Sequence, residues 1–122
     1  MKTLFTFLLL ITFQISFAQD KNARASMEVD GVCKMCKERI EKASIKTKGV
    51  KSAVWNVQTH ELKLIYDARK TDLEKISKSI AAVGHDNEFI KATDEAYNTV
   101  HDCCRYRDEE VQKEHLEEKT KN

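Results

Sequence analysis

Two cysteines in the first half of the chain have the spacing of a metal-binding or redox pair. Two residues separate Cys33 from Cys36 in the segment Gly31-Val32-Cys33-Lys34-Met35-Cys36. A CxxC pair at the start of a helix lies near backbone N–H groups without helical partners, and the positive end of the helix dipole favours the thiolate. Two thiolates without an oxygen ligand select Cu(I), Zn or another thiophilic ion over Mg or Ca. We therefore predict Cys33 and Cys36 as metal ligands, with Lys34 and Lys37 offsetting the thiolate charge.

Two other roles are open to a CxxC pair. In an oxidising compartment the two thiols can form a structural disulfide. A thioredoxin-like oxidoreductase also uses CxxC, but that family places a cis-proline beside the pair, and this chain contains no proline. The structural disulfide is therefore the main alternative to a metal site.

The other two cysteines, Cys103 and Cys104, are adjacent in the chain. Neighbouring Cα atoms lie about 3.8 Å apart, below the roughly 4.4–6.8 Å of an unstrained disulfide, so a bond between these two is disfavoured. Three roles stay open for them. They can bind a metal together with the CxxC pair, form disulfides to that pair, or build a separate site with His101.

The first 18 residues have the pattern of a secretory signal peptide. Lys2 precedes an apolar run over residues 4–13, and Ser16-Phe17-Ala18 supplies small residues for cleavage before Gln19. The run is shorter than the roughly 20 residues that span a bilayer. We therefore predict cleavage after Ala18, secretion across the inner membrane to the periplasm, and no stable membrane insertion.

Charge and length exclude several classes of function. Without the predicted signal peptide, 20 basic residues stand against 20 acidic residues. No basic excess is present to hold nucleic acid or an anionic membrane surface. A chain of this length buries one modest core. Neither a Ser/His/Asp set nor paired acids at a helical spacing emerge, so the sequence predicts that the protein is not an enzyme.

Hydrophobic periodicity indicates the elements that position the CxxC pair. Residues 25–30 alternate as a strand, and apolar residues then recur at helical spacing between Cys36 and Gly49. Two further alternating segments, residues 51–57 and residues 61–66, are joined by a short turn. These two segments predict a β-hairpin.

A second helix and a last strand complete the predicted fold. Thr71-Asp72-Leu73-Glu74 predicts a capping box in which the Thr71 hydroxyl and the Glu74 carboxylate satisfy backbone donors, and Gly84 predicts the end of the helix. Residues 85–92 predict the last strand. The order strand, helix, strand, strand, helix, strand predicts an α+β split βαβ fold, in which two helices cover one face of a four-stranded antiparallel sheet.

These motifs together resemble the heavy-metal-associated domain, a family that includes small copper chaperones, the periplasmic mercury-binding protein and the N-terminal modules of metal-transporting ATPases. The resemblance covers about residues 25–92 and implies a ferredoxin-like fold with a soft metal held by Cys33 and Cys36. The family usually has a Met that packs under the loop where this chain has Gly31. The resemblance is carried by the CxxC segment, Ile40-Glu41-Lys42-Ala43, Gly49-Val50, the hairpin and Ile80-Ala81-Ala82-Val83-Gly84.

The same resemblance brings His85 into consideration. His85 follows Gly84 in the loop that faces the CxxC pair in this fold, and some copper chaperones have His there. His85 is therefore a candidate third ligand or a hydrogen-bond donor to sulfur, and the alternative is a half-exposed histidine at the start of a strand. His60 and His115 are expected to have no role.

Beyond the domain the composition changes. Residues 93–107 form an extension that contains both remaining cysteines, and Tyr97, Val100 and Tyr106 predict that it packs on the domain. Residues 108–122 are almost all polar or charged, which predicts a flexible tail or a frayed helix.

The sequence thus predicts a secreted, periplasmic protein that binds a soft metal ion for trafficking or sequestration outside the cytoplasm. Cu(I) is favoured, with Zn(II), Hg(II) or another thiophilic ion as alternatives. Cys103, Cys104 and His85 are the candidate additional ligands. The resemblance implies a metal-transporting ATPase or another metal acceptor as the partner. The alternative is a non-catalytic secreted interaction module whose cysteines form structural disulfides.

Overall fold

The computed structural model describes residues 19–121, so the predicted signal peptide at residues 1–18 lies outside the described residues. None of the helices in the described range is long and apolar enough to cross a bilayer. In chain order the elements are β1 (Ala23–Glu28), α1 (Lys34–Lys46), β2 (Val50–Trp55), β3 (Glu61–Tyr66), α2 (Leu73–Ala82), α3 (Asp94–Tyr97), a 3-10 turn (Asp102–Cys104) and α4 (Glu109–Thr120).

The strands between residues 19 and 121 form a three-stranded antiparallel sheet in the order β1-β3-β2. Leu62 at the centre of β3 pairs with Met27 of β1 on one side and with Trp55 of β2 on the other. All three side chains are buried. The predicted hairpin is confirmed, and its pairing aligns apolar residues of every strand on the same face.

The predicted fourth strand is wrong. Over residues 85–92 the strand-like backbone pairing is a single bridge, between Val29 and Asn87. The Asn87 side-chain oxygen accepts hydrogen bonds from the backbone N–H groups of Phe89 and Ile90, at 3.1 and 3.0 Å, and the backbone N–H of Asn87 donates to the Ile90 carbonyl oxygen. Asn favours such turns because its side chain replaces a backbone partner. The chain therefore turns away, and Phe89 is 54% exposed.

Helices α1 and α2 supply the other layer of one hydrophobic core. Ile40 of α1 and Ile76 and Ile80 of α2 are fully buried and belong to the same cluster as Leu62 and Leu64 of β3. The 3.6-residue period places these side chains on the inner face of each helix. The helical segments that the periodicity predicts are confirmed, although α1 begins at Lys34, before Cys36.

The predicted capping box of α2 is wrong by one residue. Asp72 is the N-cap, and its carboxylate accepts a hydrogen bond from the backbone N–H of Lys75 at 2.9 Å. The Thr71 hydroxyl is buried without a hydrogen-bond partner among the described residues, and Glu74 pairs with Lys78 instead. Asp72 has the extended backbone that an N-cap adopts, so its carboxylate reaches the Lys75 N–H group, which has no partner within the helix.

The extension packs into the domain core, as its apolar residues predict. Tyr97, Val100, Cys104 and Tyr106 are all buried and join the core cluster. The rings of Tyr97 and Tyr106 meet edge to face with their centroids 5.2 Å apart, a favourable aromatic geometry. Beyond them, the described part of the charged tail forms α4, whose residues are not buried.

Candidate metal centre

The CxxC pair lies where the chain passes from β1 into α1. Cys33 is the N-cap residue of α1 with an extended backbone, and Cys36 lies in the first turn of the helix. Their sulfur atoms are 3.3 Å apart. Cys33 is partly exposed and Cys36 is fully buried. The loop therefore places one accessible thiol and one buried thiol close enough together to bind the same metal ion.

Trp55 supports the loop from below. Its indole Nε1 donates to the carbonyl oxygens of Val29 and His60, at 3.0 and 3.2 Å. A Cβ atom added at Gly31 would lie 2.9 Å from the Trp55 ring and 2.9 Å from the Cys36 Cβ. Real Cβ atoms do not approach this closely, so Trp55 fills the space beneath the loop. The absence of a side chain at Gly31 was the sequence signal for such a neighbour, but the sequence did not identify Trp55.

The extension brings a third thiol to the pair. Cys104 belongs to the 3-10 turn, is fully buried, and has its sulfur 2.9 Å from that of Cys33. Cys103 is exposed, with its sulfur 3.8 Å from that of Cys104 and 3.4 Å from the thioether of Met35. The ligand atoms of Cys33, Cys103 and Cys104 all lie within 4.8 Å of one another. The structure thus unites the two cysteine pairs, one of the arrangements that the sequence left open.

All four cysteines are free thiols. Burial raises the pKa of Cys104 well above its ordinary value, and hydrogen bonds with Cys33 and Cys36 act in the same direction. A charged thiolate at this position is costly without a partner, because burial removes it from water. The Cys104 sulfur is therefore protonated unless a cation compensates its charge.

His85 does not join this sulfur cluster. Its ring nitrogen Nδ1 donates to the Asp30 carbonyl oxygen at 2.8 Å, and its ring stacks on Tyr106 with the centroids 5.3 Å apart. Burial lowers the pKa of His85 to about 4, although the Asp30 hydrogen bond acts against the shift. His85 is thus a neutral, fully buried side chain, and the alternative of a half-exposed histidine is wrong.

Three other polar residues make contacts that the sequence did not predict. Lys37 pairs with Glu41 and donates to the Trp55 carbonyl oxygen at 2.8 Å, so its ammonium group is engaged away from the thiols. His115 of α4, expected to have no role, has its Nε2 atom 2.9 Å from the carbonyl oxygen of Cys103. His60 belongs to a second group of candidate ligands with Glu28 and Asp30.

The extension is fixed to the domain by Tyr106 and Arg107. The Tyr106 hydroxyl donates to the Gly84 carbonyl oxygen at 2.6 Å and accepts from the backbone N–H of Asp86 at 2.8 Å. Arg107 binds both carboxylate oxygens of Asp86, at 2.7 and 3.1 Å. Such two-point pairs combine charge with fixed geometry. Cys104 therefore lies just ahead of two well-anchored residues.

Comparison with known protein families gives one match to this chain. The family model described as the heavy-metal-associated domain matches residues 26–86, half of the chain. The chain belongs to this family. The matched range includes Cys33 and Cys36 and ends before the extension, so the buried thiol of Cys104 lies outside the part that defines the family. A search of curated proteins found no match.

Solved structures of this family are similar to the domain. The CopZ metallochaperone is 27% identical with a TM-score of 0.52, over 53% of this chain and 98% of that chain. The water-soluble region of the P-type ATPase CopA from Bacillus subtilis is 30% identical with a TM-score of 0.52, over 57% and 46% of the two chains.

A third solved structure shares the fold at lower identity. The N-terminal domain of a potential copper-translocating P-type ATPase from Bacillus subtilis, in the Cu(I)-loaded state, is 22% identical with a TM-score of 0.53. The alignment covers 60% of this chain and 92% of that chain. This likeness supports the heavy-metal-associated fold alone.

Proposed function

We propose that the protein binds a soft metal ion, Cu(I), through the thiolates of Cys33 and Cys36 and carries or sequesters it outside the cytoplasm. The observation that carries the proposal is the pair of sulfur atoms 3.3 Å apart at the N-terminal end of α1. Sulfur-only ligation favours soft ions, because thiolates bind polarisable metals more strongly than hard ones. Zn(II) and Hg(II) are the competing thiophilic ions.

Two features support metal trafficking or sequestration. The similar solved proteins include one described as a metallochaperone and one as a P-type ATPase. Cys33 is partly exposed, so an acceptor thiolate can attack the bound ion from solvent. A metal-transporting ATPase or another thiol-bearing acceptor fits this mechanism. The signal-peptide pattern of residues 1–18 supports a periplasmic location.

Competition against a chromogenic Cu(I) chelator tests the proposal. We expect Cys33→Ser and Cys36→Ser each to lower Cu(I) affinity by about 100-fold or more, because loss of even an outer-shell group costs about 10–100-fold. Gln58→Ala, in the exposed hairpin turn, is the control and keeps the affinity of the unmodified protein. Unchanged affinity in both cysteine variants would refute the assignment.

A structural-disulfide role is the second candidate. The separation of 2.9 Å between the sulfurs of Cys33 and Cys104 favours it, since a small movement would let an oxidant join them. Titration of free thiols in protein purified from its native compartment, with and without reductant, separates the two roles. Four thiols that react in denaturant with chelator and without reductant support metal binding, whereas thiols that appear only after reduction support the disulfide module.

A further inference from the structure

Five sulfur atoms form a continuous series of contacts around the metal-binding loop. In order they belong to Met35, Cys103, Cys104, Cys33 and Cys36, with successive separations of 3.4, 3.8, 2.9 and 3.3 Å. Met35 is 38% exposed at the outer end, and Cys36 is fully buried at the inner end. An exposed pair of soft ligands, the Met35 thioether and the Cys103 thiol, therefore lies beside the buried thiols of Cys104 and Cys36.

The position of Cys104 is set by packing on both sides of it. Tyr97 and Val100 before it and Tyr106 after it are buried in the domain core. A Cβ atom added at Gly84 would lie only 2.5 Å from the Ala96 carbonyl oxygen, so the domain and the extension meet there without space for a side chain. The thiol of Cys104 is thus held at the loop before any metal arrives.

We propose that the extension completes the metal site. Cys104 supplies a third thiolate beside Cys33 and Cys36, and Cys103 with Met35 forms the entrance through which Cu(I) reaches them. This inference rests on the proposed function, because it assumes that the CxxC pair binds the ion. On binding, each of the three thiols loses its proton to solvent, three metal–sulfur bonds form, and Cu(I) keeps its oxidation state.

The distances allow a three-sulfur site after a small expansion. With metal–sulfur bonds of about 2.3 Å, three sulfurs around one ion lie roughly 4 Å apart. The observed separations of 2.9 and 3.3 Å from Cys33 must therefore open by about 1 Å or less. Folding already holds the third ligand in place. Metal binding therefore does not have to immobilise a flexible segment, which favours affinity.

The choice of Cys36 over Cys103 as the third partner follows from burial. Cys36 is fully buried, and its sulfur accepts a hydrogen bond from the backbone N–H of Val32 at 3.5 Å. Cys103 is exposed, and its sulfur contacts the exposed Met35 rather than a buried thiol of the CxxC pair. An ion on Cys33, Cys36 and Cys104 is thus enclosed on the side of the two buried thiols, and the partly exposed Cys33 leaves its other side open to an acceptor thiolate.

X-ray absorption on the Cu(I)-loaded protein tests the third ligand. We expect three sulfur neighbours in the unmodified protein, two in Cys104→Ser and two in Cys36→Ser, but three in Cys103→Ser. Cys104→Ser should also lower Cu(I) affinity by about 10–100-fold or more. If that variant does not fold, the Cys103→Ser variant decides, because a third sulfur that it retains can then come only from Cys104 among the cysteines outside the CxxC pair.

The outcomes separate this inference from the function on which it rests. Two sulfurs in the unmodified protein, with full dependence on Cys33 and Cys36, would overturn the third ligand and leave the proposed function intact. Three sulfurs retained in Cys36→Ser and lost in Cys103→Ser would place the ion on the outer cysteines and also overturn the inference. Independence from both Cys33 and Cys36 would refute the proposed function itself.

Stopped-flow uptake of Cu(I) from a weak chelator complex tests the entrance. We expect Cys103→Ser to slow uptake several-fold, and Met35→Leu, which keeps the side-chain volume and removes the sulfur, to slow it as well. Ile45→Leu is the control on the same helix, since Ile45 is 48% exposed at the far end of α1 and contains no sulfur. Uptake at the unmodified rate in both sulfur variants would overturn the entrance.

Discussion

The domain and the extension are built in different ways, although both contribute to one core. In the domain, residues 23–92, three strands and two helices all contribute buried side chains to the core, so many side chains share the stabilisation. The extension, residues 93–107, has one short helix and one 3-10 turn, and it depends on Tyr97, Tyr106 and Arg107 for its position.

Because of this difference, the domain should determine the stability of the protein, and the extension should determine whether Cys104 reaches the metal site. Loss of a large core side chain in the domain should unfold the loop together with everything around it. Loss of a contact between the domain and the extension should release Cys104 while the CxxC pair keeps its support. Variants at the two kinds of position therefore test whether the regions are separable.

The largest effect is expected for Trp55→Ala in the domain. Removal of this fully buried side chain should lower the free energy of unfolding by about 3–5 kcal/mol, because it leaves a cavity under the metal loop. Denaturant unfolding measures the change. Val54→Ala is the matched control, since Val54 is 54% exposed on the same strand, and its change should stay within about 0.5 kcal/mol. Equal losses in the two variants would contradict the placement of Trp55.

The next largest effect is expected for Gly84→Ala. At a φ of 97° an added Cβ is strained and meets the Ala96 carbonyl oxygen, so the variant should lose about 3 kcal/mol of stability. Because that contact lies between the two regions, Cys104 should also react faster with an alkylating reagent.

Gly49→Ala is the control for Gly84→Ala. Gly49 has a φ of 102°, but its added Cβ would meet Lys70 and Thr71, which belong to the domain. We expect this variant to lose stability without exposing Cys104 in the folded protein. If both variants leave Cys104 equally protected, the extension is not separable from the domain.

Acidification should weaken the metal-free protein through His85. Its pKa is about 4 in the folded state and about 6.5 in the unfolded chain, so only the unfolded state gains this proton between those values. The free energy of unfolding therefore contains the full contribution of His85 above about pH 6.5. It falls as the pH decreases to about 4, by up to about 3 kcal/mol.

Denaturant unfolding between pH 7 and pH 4 measures the contribution of His85. His85→Gln should show a shallower loss of stability than the unmodified protein. His101→Gln removes an exposed histidine of the extension and should keep the original slope. Identical slopes in all three proteins would show that His85 is not held neutral by burial against Tyr106.

The smallest effect is expected at the start of α2. Asp72→Ala should lower stability by about 1 kcal/mol through loss of the N-cap hydrogen bond. Thr71→Val removes a buried hydroxyl without a partner and should be neutral or stabilising. Neither change should alter Cu(I) affinity, because both residues lie in the domain away from the sulfur cluster. A larger loss for Thr71→Val would restore Thr71 as the cap.

Local patterns in the sequence were enough to predict the hairpin, both main helices and the position of the CxxC pair. Each of these depends on residues close together in the chain, where periodicity and turn residues act directly. The same local reasoning went wrong where two neighbours competed. It chose Thr71 over Asp72 as the cap, and it continued a strand through Asn87, whose side chain instead forms a turn.

By itself, the sequence determined that Cys33 and Cys36 share a loop at the start of a helix and that Cys103 and Cys104 do not easily bond to each other. Only the tertiary structure decided that Cys104 contacts Cys33, from which it is separated by 71 positions in the chain, and that the Trp55 ring packs beneath Gly31. It also decided that His85 donates to Asp30 rather than to sulfur. These contacts join residues far apart in the chain, and packing of the whole core selects them, because no local hydrogen bond or periodicity encodes where a returning segment docks.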